Sequence, residues 1–330
     1  AKKGGGCSMN LKHAQYVLTI LREGSFTEAA KKLYVSQPSL SQTVKQLEAG
    51  LGAPIFNRAS ETLTLTYVGK RYVEAAQQIM LIYSNLTNSI EDLKAEVHGK
   101  MRLGVTMQRG MNLLPLVLPP FIERYPYVEI ELHEHGSDRL EKMVQEGVCD
   151  IALVTTNPKV NLLEYVLIEH EELVLMAAKT TDIAKRHEDG DKIDITEATG
   201  ESFVSLKAGH SVRIIQDRLF AHYGMSPRLL LESDSFETAK HIAARANAVM
   251  ITPYVYISNV PTLRSLVKCF PIRDTGYERH FYLCYRKGLY FTRYLTDFLG
   301  LVREKAQAYR LDSFPNSQNA ESLRKPNTPK

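Results

Sequence analysis

The chain predicts a three-part α/β architecture: a small helical module closed by a hairpin (residues 9–66), one long helix (67–98) and a larger region of alternating strands and helices (99–311). Apolar residues recur at steps of three and four over residues 11–51 and 68–97, residues 66–97 hold no proline, and beyond Gly99 the apolar period alternates between two and 3.6. The 330 residues are enough for several domains. With 44% hydrophobic and 24% charged residues the composition is that of an ordinary globular chain and excludes wholesale disorder. The net charge of +4, from 41 basic and 37 acidic residues, is too small to signal a nucleic-acid partner by itself. Any such case must rest on a motif.

Leu11, Ala14, Val17, Leu18 and Leu21 form one stripe of a first helix that ends at Gly24. Ser25 with Glu28 has the spacing of a capping box, and Phe26, Ala29, Ala30 and Leu33 make the buried face of a second helix. After Tyr34 and Val35, Ser36 caps a third helix with Pro38 in its first turn, where a missing N–H costs nothing. Leu40, Val44, Leu47 and Leu51 point inward there, which leaves Gln37, Pro38, Ser41, Gln42 and Lys45 outward. The stretch APIFNRASETLTLT then alternates apolar and polar residues around a turn near Ala59 and Ser60, as a hairpin does. Val68, Tyr72, Ala76, Ile79, Tyr83, Leu86, Ile90, Leu93 and Val97 keep a helical spacing over about 30 residues, or roughly 45 Å. Such a helix is too long for a small module to bury, so its stripe predicts a coiled-coil seam.

Strands follow at residues 101–106, 128–135, 149–156, 173–178, 202–206, 228–233, 248–253, 267–272 and 280–286. Helices at 113–125, 138–146, 211–223, 236–246 and 291–309 alternate with them, the pattern of parallel α/β sheets. Residues 312–330, rich in Asn, Ser, Pro and Lys, predict a disordered tail. Residues 1–8, glycine-rich, read as a flexible arm or a vector-derived remnant.

Cys7, Cys149, Cys269 and Cys284 lie far apart with no CxxC pair, which argues against a zinc ribbon or a disulfide framework and fits a reducing cytoplasm. The basic start has no apolar stretch behind it, and no run reaches the roughly 18 apolar residues of a membrane span, so the chain is expected to be soluble, unexported and without a membrane partner. His133 and His135 share one face of a strand, but no third metal ligand accompanies them. No phosphate loop, nucleophile elbow or zinc-protease signature occurs, so neither an enzyme nor a cofactor is expected.

Two short helices joined by a tight turn place the second across a DNA major groove, where outward polar residues near its start reach base edges. The alternative for the same geometry is a protein-interaction module. Residues 25–58 resemble the DNA-binding domain of LysR-type regulators in Ser25-Phe26, Ala29-Ala30, Ser36-Gln37-Pro38, Ser39-Leu40-Ser41, Leu47-Glu48, Leu51-Gly52 and Phe56-Asn57-Arg58, followed by Leu65-Thr66-Tyr67-Val68-Gly69. Gln42 departs from the arginine most frequent there in the family. The resemblance implies a winged helix-turn-helix that binds double-stranded operator or promoter DNA through Ser36, Gln37, Pro38, Ser39, Ser41, Gln42, Lys45 and Arg58.

Met101-Arg102-Leu103-Gly104, Leu113-Leu114-Pro115, Tyr125-Pro126 and Gly147 with Asp150-Ile151-Ala152-Leu153 resemble the family's effector domain. They imply a two-lobed, periplasmic-binding-protein-like fold, with lobe I at 99–156 and 269–311 and lobe II at 157–268. Loops beyond strand ends then converge at Thr106, Gln108, Arg109, Ser205, Lys207 and Ser235, whose hydroxyls, amides and cations suit a small, anionic organic effector. Each hydroxyl also fits a plain helix cap. The long-helix seam predicts a homodimer, or a homotetramer through the effector domains as well, in the cytoplasm, and RNA polymerase is a further expected partner. Rival classes are a solute-binding protein of the same two-lobed fold and an α/β enzyme with an appended helical module.

Overall fold

Asn10 opens the first helix by accepting a hydrogen bond from the His13 amide at 2.8 Å. That helix, α1 (Leu11–Glu23), closes at Gly24 in the left-handed region, φ 63°. The computed structural model describes residues 10–57, 63–94, 97–158, 160–258, 260–273 and 279–311. It divides into two units, residues 1–99 with 288–292 and residues 100–287 with 293–330.

In the first unit Ser25 caps α2 (Phe26–Lys32) by accepting from Thr27 N and Glu28 N. The Glu28 carboxylate turns to Lys31 at 2.7 Å, so only the serine half of the expected capping box forms. Ser36 caps α3 (Gln37–Leu51), which ends at Gly52 with φ 73°. Strands β1 (Phe56–Asn57) and β2 (Thr64–Leu65) pair antiparallel, and α4 (Tyr67–Glu91) follows. The turn expected near Ala59 and Ser60 lies outside the described residues, as does Arg58. Val17, Ile20, Ala30, Leu40, Val44, Ile55, Phe56, Tyr72 and Ala76 share one core. Each large aliphatic there contributes about 1.5–3 kcal/mol. Asn85 on α4 donates to Gly288 O at 2.6 Å and accepts from Tyr290 N at 2.8 Å, which ties residues 288–292 to this unit.

The second unit runs β3 (Gly99–Val105), α5 (Met107–Arg124), β4 (Val128–Glu134), α6 (Ser137–Gln145), β5 (Ile151–Thr155), β6 (Leu163–Glu171), β7 (Leu173–Ala178) and α7 (Asp182–Arg186). It continues with β8 (Ser202–Leu206), α8 (Ser211–His222), β9 (Arg228–Ser233), α9 (Phe236–Ala243), β10 (Val249–Pro253), α10 (Val255–Ser258), α11 (Pro261–Arg264), β11 (Val267–Pro271), β12 (Arg279–Arg286) and α12 (Arg293–Leu311). Two five-stranded sheets result, ordered β4-β3-β5-β12-β6 and β11-β7-β10-β8-β9, one in each lobe.

The sheets are mixed rather than parallel. β3 runs parallel to β5, and β8 to β9 and β10, but β12 is antiparallel to β5 and β6, and β7 to β10 and β11. The antiparallel pairs lie where the chain changes lobe: β6 ends in the first sheet and β7 begins in the second, while β11 ends in the second and β12 begins in the first. By strand order, residues 163–171 belong with lobe I and 267–271 with lobe II, so the chain leaves lobe I near 172 rather than at Thr156 and is still in lobe II at Pro271, beyond the expected Lys268. Helix α5 starts six residues before the expected Leu113, and Pro115, Pro119 and Pro120 all stand on its exposed side.

The signature around Arg102 acts as a joint. The Arg102 amide donates to Asp150 Oδ2 at 2.9 Å, and its guanidinium reaches Asp150 Oδ1 at 2.6 Å and Gly147 O at 3.0 Å. Gly104 leaves no room for a side chain, because a Cβ there would stand 2.8 Å from Leu140 and 2.9 Å from Ala152.

Candidate nucleic-acid interface and interlobe cleft

Helix α3 is two-faced. Leu40, Val44 and Leu47 are buried, whereas Gln37, Pro38, Ser39, Gln42 and Lys45 are exposed and Ser41 is half-buried. Positions 37, 38, 41, 42 and 45 fall on one stripe of a 3.6-residue helix, so two amides, a hydroxyl and an ammonium point the same way. Ser36 is occupied by its cap, accepting from Ser39 N at 3.4 Å. Glu48, inward of this stripe, accepts from Ile55 N at 2.8 Å and Phe56 N at 3.3 Å and so fixes where the hairpin leaves α3. Thr66 Oγ1 donates to Pro54 O at 2.6 Å and accepts from Gly69 N at 2.9 Å, while a Cβ on Gly69 would lie 2.0 Å from Ile55 O. The Leu-Glu pair and the Thr-x-x-Gly spacing thus lock the hairpin between α3 and α4.

In the second unit the three expected loops do meet. Lys207 N donates to Ser233 O at 3.0 Å and Lys207 Nζ pairs with Asp234 at 2.5 Å, joining the loops after β8 and β9. Gln108 Nε2, in the first turn of α5, donates to Glu237 Oε1 at 2.7 Å in the first turn of α9, joining the two lobes. Thr106 stands at the α5 N-cap, where its side chain makes no capping bond, and Ser235 caps α9 through Thr238 N.

Two expected site residues face elsewhere. Ser205 is buried against α8, exchanging hydrogen bonds with the Gln216 amide at 2.7 and 3.0 Å. Arg109 is only 2% exposed. Its guanidinium bonds Glu171 and Glu169, 3.0 Å from Nε to Glu171 Oε1 and 3.1 Å from Nη2 to Glu169 Oε2, and stacks 3.9 Å from the Phe281 ring centroid. Arg279 pairs with the other oxygen of Glu171 at 2.5 Å. These two cations and two carboxylates sit on α5, the end of β6 and the start of β12, at the crossings between lobes. Burial pushes the Glu171 carboxyl up, but Arg279 and Arg109 outweigh it and hold it below 4.5. Lys240, 1% exposed, is held by Glu237 at 2.7 Å and Tyr256 O at 2.9 Å. Glu169, Glu171, Glu237, Lys240 and Arg279 were not singled out from the sequence, although Glu169 and Glu171, two apart on one strand face, are the signal that marks the crossing.

His133 lies 3.0 Å from Glu131, and no group of three metal-ligating side chains occurs among the described residues. Cys149, Cys269 and Cys284 are buried free thiols as expected, and burial raises all three, Cys149 and Cys269 to about 12. Cys7 lies outside the described residues.

Residues 11–70 match the family described as bacterial regulatory helix-turn-helix protein, lysR family, and residues 94–307 match the LysR substrate binding domain. The chain belongs to the LysR family. As a LysR-type transcriptional regulator it joins a DNA-binding helix-turn-helix to an effector-binding domain, with its α3 stripe on the former and its interlobe cleft on the latter. It is 30% identical over 259 residues to an uncharacterized HTH-type transcriptional regulator, YcgK, of Bacillus subtilis (strain 168), covering 74% of this chain and 80% of that one. It is 24% identical over 279 residues to the HTH-type transcriptional regulator CbbR of Rhodospirillum rubrum, covering 84% and 91%. Its fold matches a full-length OxyR variant from Pseudomonas aeruginosa with a TM-score of 0.72 at 21% identity, covering 90% of this chain and 95% of that one. It matches full-length CbnR complexed with target DNA with a TM-score of 0.52 at 21% identity, covering 90% and all of that chain. No described helix of this LysR-type protein is long and apolar enough to cross a membrane.

Proposed function

We propose that this regulator reads operator DNA with α3 in the major groove, Gln37, Ser41 and Gln42 on base edges and Lys45 and Arg58 on phosphate. The α3 stripe carries this reading: a glutamine amide pairs bidentately with adenine, serine contacts base or phosphate, and lysine neutralises phosphate. Pro38 and Ser39 share the approach face, and Ser36 presents the helix start. Two copies act together through α4, where Ile82 (67% exposed), Leu86 (57%) and Ile90 (51%) stand out on one side. A further pairing of effector domains would cover exposed Met107 and Met111 on α5, Leu132 on β4 and Leu229 and Leu230 on β9, two of which elements are sheet edges. The retention of genomic fragments in a gel shift, competed by the matching duplex and not by a shuffled one, tests the DNA reading. Equal competition by both duplexes overturns it.

A small organic effector binds in the cleft between the lobes, against Thr106, Gln108, Lys207 and Ser235, with Arg109 and Ser205 shaping its walls from behind. An anionic group would meet Lys207 and the first turns of α5 and α9. Binding shifts the angle between lobes by as much as the ligand's affinity differs between the two arrangements. Thr106→Phe and Ser235→Phe should abolish effector heat in calorimetry while operator binding persists. Full effector affinity in both variants places the site elsewhere.

A further inference from the structure

Three helices of the DNA-binding unit end in a left-handed residue, and they do not end alike. Gly24 (φ 63°) and Gly52 (φ 73°) close α1 and α3. The turn after α2 is closed by Tyr34 at φ 54°. Its backbone has the usual form of such an end, with Val35 N donating to Ala30 O at 3.0 Å and Tyr34 N to Lys31 O at 3.2 Å. That position favours glycine, because a Cβ in the left-handed region crowds the neighbouring carbonyl. Tyrosine gains no burial in exchange, for its side chain is 96% exposed. Among the described residues the other non-glycine with positive φ is Asn247, a residue type that tolerates the conformation.

Neither backbone preference nor packing therefore accounts for a tyrosine here, and its location supplies a reason. Tyr34 is three residues before Gln37, so its backbone lies within about 11 Å of the start of α3. When the start of α3 enters a groove, the turn before it lies at the groove's edge, beside the phosphates. In the last turn of α2, Lys31 is paired with Glu28 at 2.7 Å, so Lys32 carries the net positive charge of that edge. A phenol hydroxyl donates to phosphate oxygen, and its ring covers the adjoining sugar.

We propose that Tyr34 is a DNA-backbone contact, placed by its left-handed turn to clamp a phosphodiester beside the groove that α3 reads. The proposal rests on the DNA-binding reading of α3. The test uses the full chain, a duplex selected by the unchanged protein from random-sequence DNA, and an unrelated duplex. Tyr34→Gly should melt no lower than the unchanged protein, because glycine suits the turn. Its affinity should nonetheless fall about tenfold on both duplexes alike, as expected for losing one hydrogen bond to a charged group. Tyr34→Phe should share most of that loss. Undiminished affinity in Tyr34→Gly overturns the contact and leaves the ring to a protein partner. A lower melting midpoint alongside weaker binding assigns Tyr34 to folding and overturns it equally. Lys45→Ala separates the two readings: if it too binds unchanged, α3 does not lie in the groove.

Discussion

Gln108 Nε2 lies 2.7 Å from Glu237 Oε1, a bond that joins the first turns of α5 and α9 across the two lobes. The same Glu237 holds Lys240, which is 1% exposed. Loss of the carboxylate therefore does more than loosen the cleft, since it leaves a buried ammonium with a backbone carbonyl as its main partner. Glu237→Ala should destabilise the effector domain by about 2–3 kcal/mol and Gln108→Ala by about 1 kcal/mol or less. Urea unfolding of both variants checks the ranking. Equal losses would show that Lys240 does not depend on Glu237.

Acid should act through the crossing cluster. The Glu171 carboxyl is held below its ordinary 4.5 by Arg279 and Arg109 against the upward push of burial. A depressed carboxyl adds stability that is fully present above about pH 4.5 and is lost as the pH falls through its folded value. Glu171→Gln, which leaves two buried guanidiniums short of a carboxylate, should cost about 3 kcal/mol at pH 7. The gap between variant and unchanged protein should narrow below pH 4.5, followed by denaturant unfolding across a pH series. A gap that widens on acidification would give Glu171 the opposite sign.

The sequence disclosed most where one physical signal dominates. Strands β7, β8 and β9 were placed to the residue, because apolar runs bounded by turn residues admit few readings. The winged module was legible down to the caps at Ser25 and Ser36, and Glu48, Thr66 and Gly69 of its motif prove to hold the hairpin against α3 and α4. Strand β6 was missed because two of its inward residues are Glu169 and Glu171, charges that periodicity assigns to the surface until Arg109 and Arg279 are known to meet them. Strand direction also escaped, since alternation specifies which face is buried and says nothing of parallel or antiparallel pairing. The loops after the strands are legible from position, yet position does not tell the Ser235 hydroxyl, which caps α9, from that of Ser205, which is buried against Gln216 of α8.

Gly69 makes the wing's attachment testable. A Cβ there would sit 2.0 Å from Ile55 O, a backbone atom that moves only if the hairpin moves. Gly69→Ala should cost about 3 kcal/mol, the upper part of the overpacking range, and weaken DNA binding because the wing is displaced. Thermal unfolding read alongside a gel shift checks it; unchanged stability would mean that α4 slides to accept the methyl.

On the exposed stripe of α3, Gln37→Ala and Gln42→Ala should lower discrimination at particular base pairs by about 1–3 kcal/mol. Lys45→Ala should weaken all duplexes alike and reduce the salt slope by about 1. Binding to a panel of single-base-pair variants, repeated at several salt concentrations, separates these effects. Uniform losses for both glutamines would move them from base edges to the backbone.

The exposed side of α4 predicts how two copies meet. Ile82, Tyr83, Leu86 and Ile90 are 67%, 46%, 57% and 51% exposed, whereas Ile79, expected in the same seam, is half-buried. An apolar stripe of this length left in water is unfavourable, and a second α4 supplies a matching stripe. Leu86→Asp combined with Ile90→Asp places four carboxylates at the seam of a dimer while leaving each helix's contacts with its own winged module untouched, because Tyr72, Val73 and Ala76 make those contacts nearer the start of α4. The double variant should sediment as a monomer whose melting midpoint no longer rises with concentration, as a dimer's does. Its operator affinity should fall steeply, since each copy then holds one half-site alone. A dimer of undiminished affinity would remove α4 from the interface and shift the burden of assembly to the exposed edges of the effector domain.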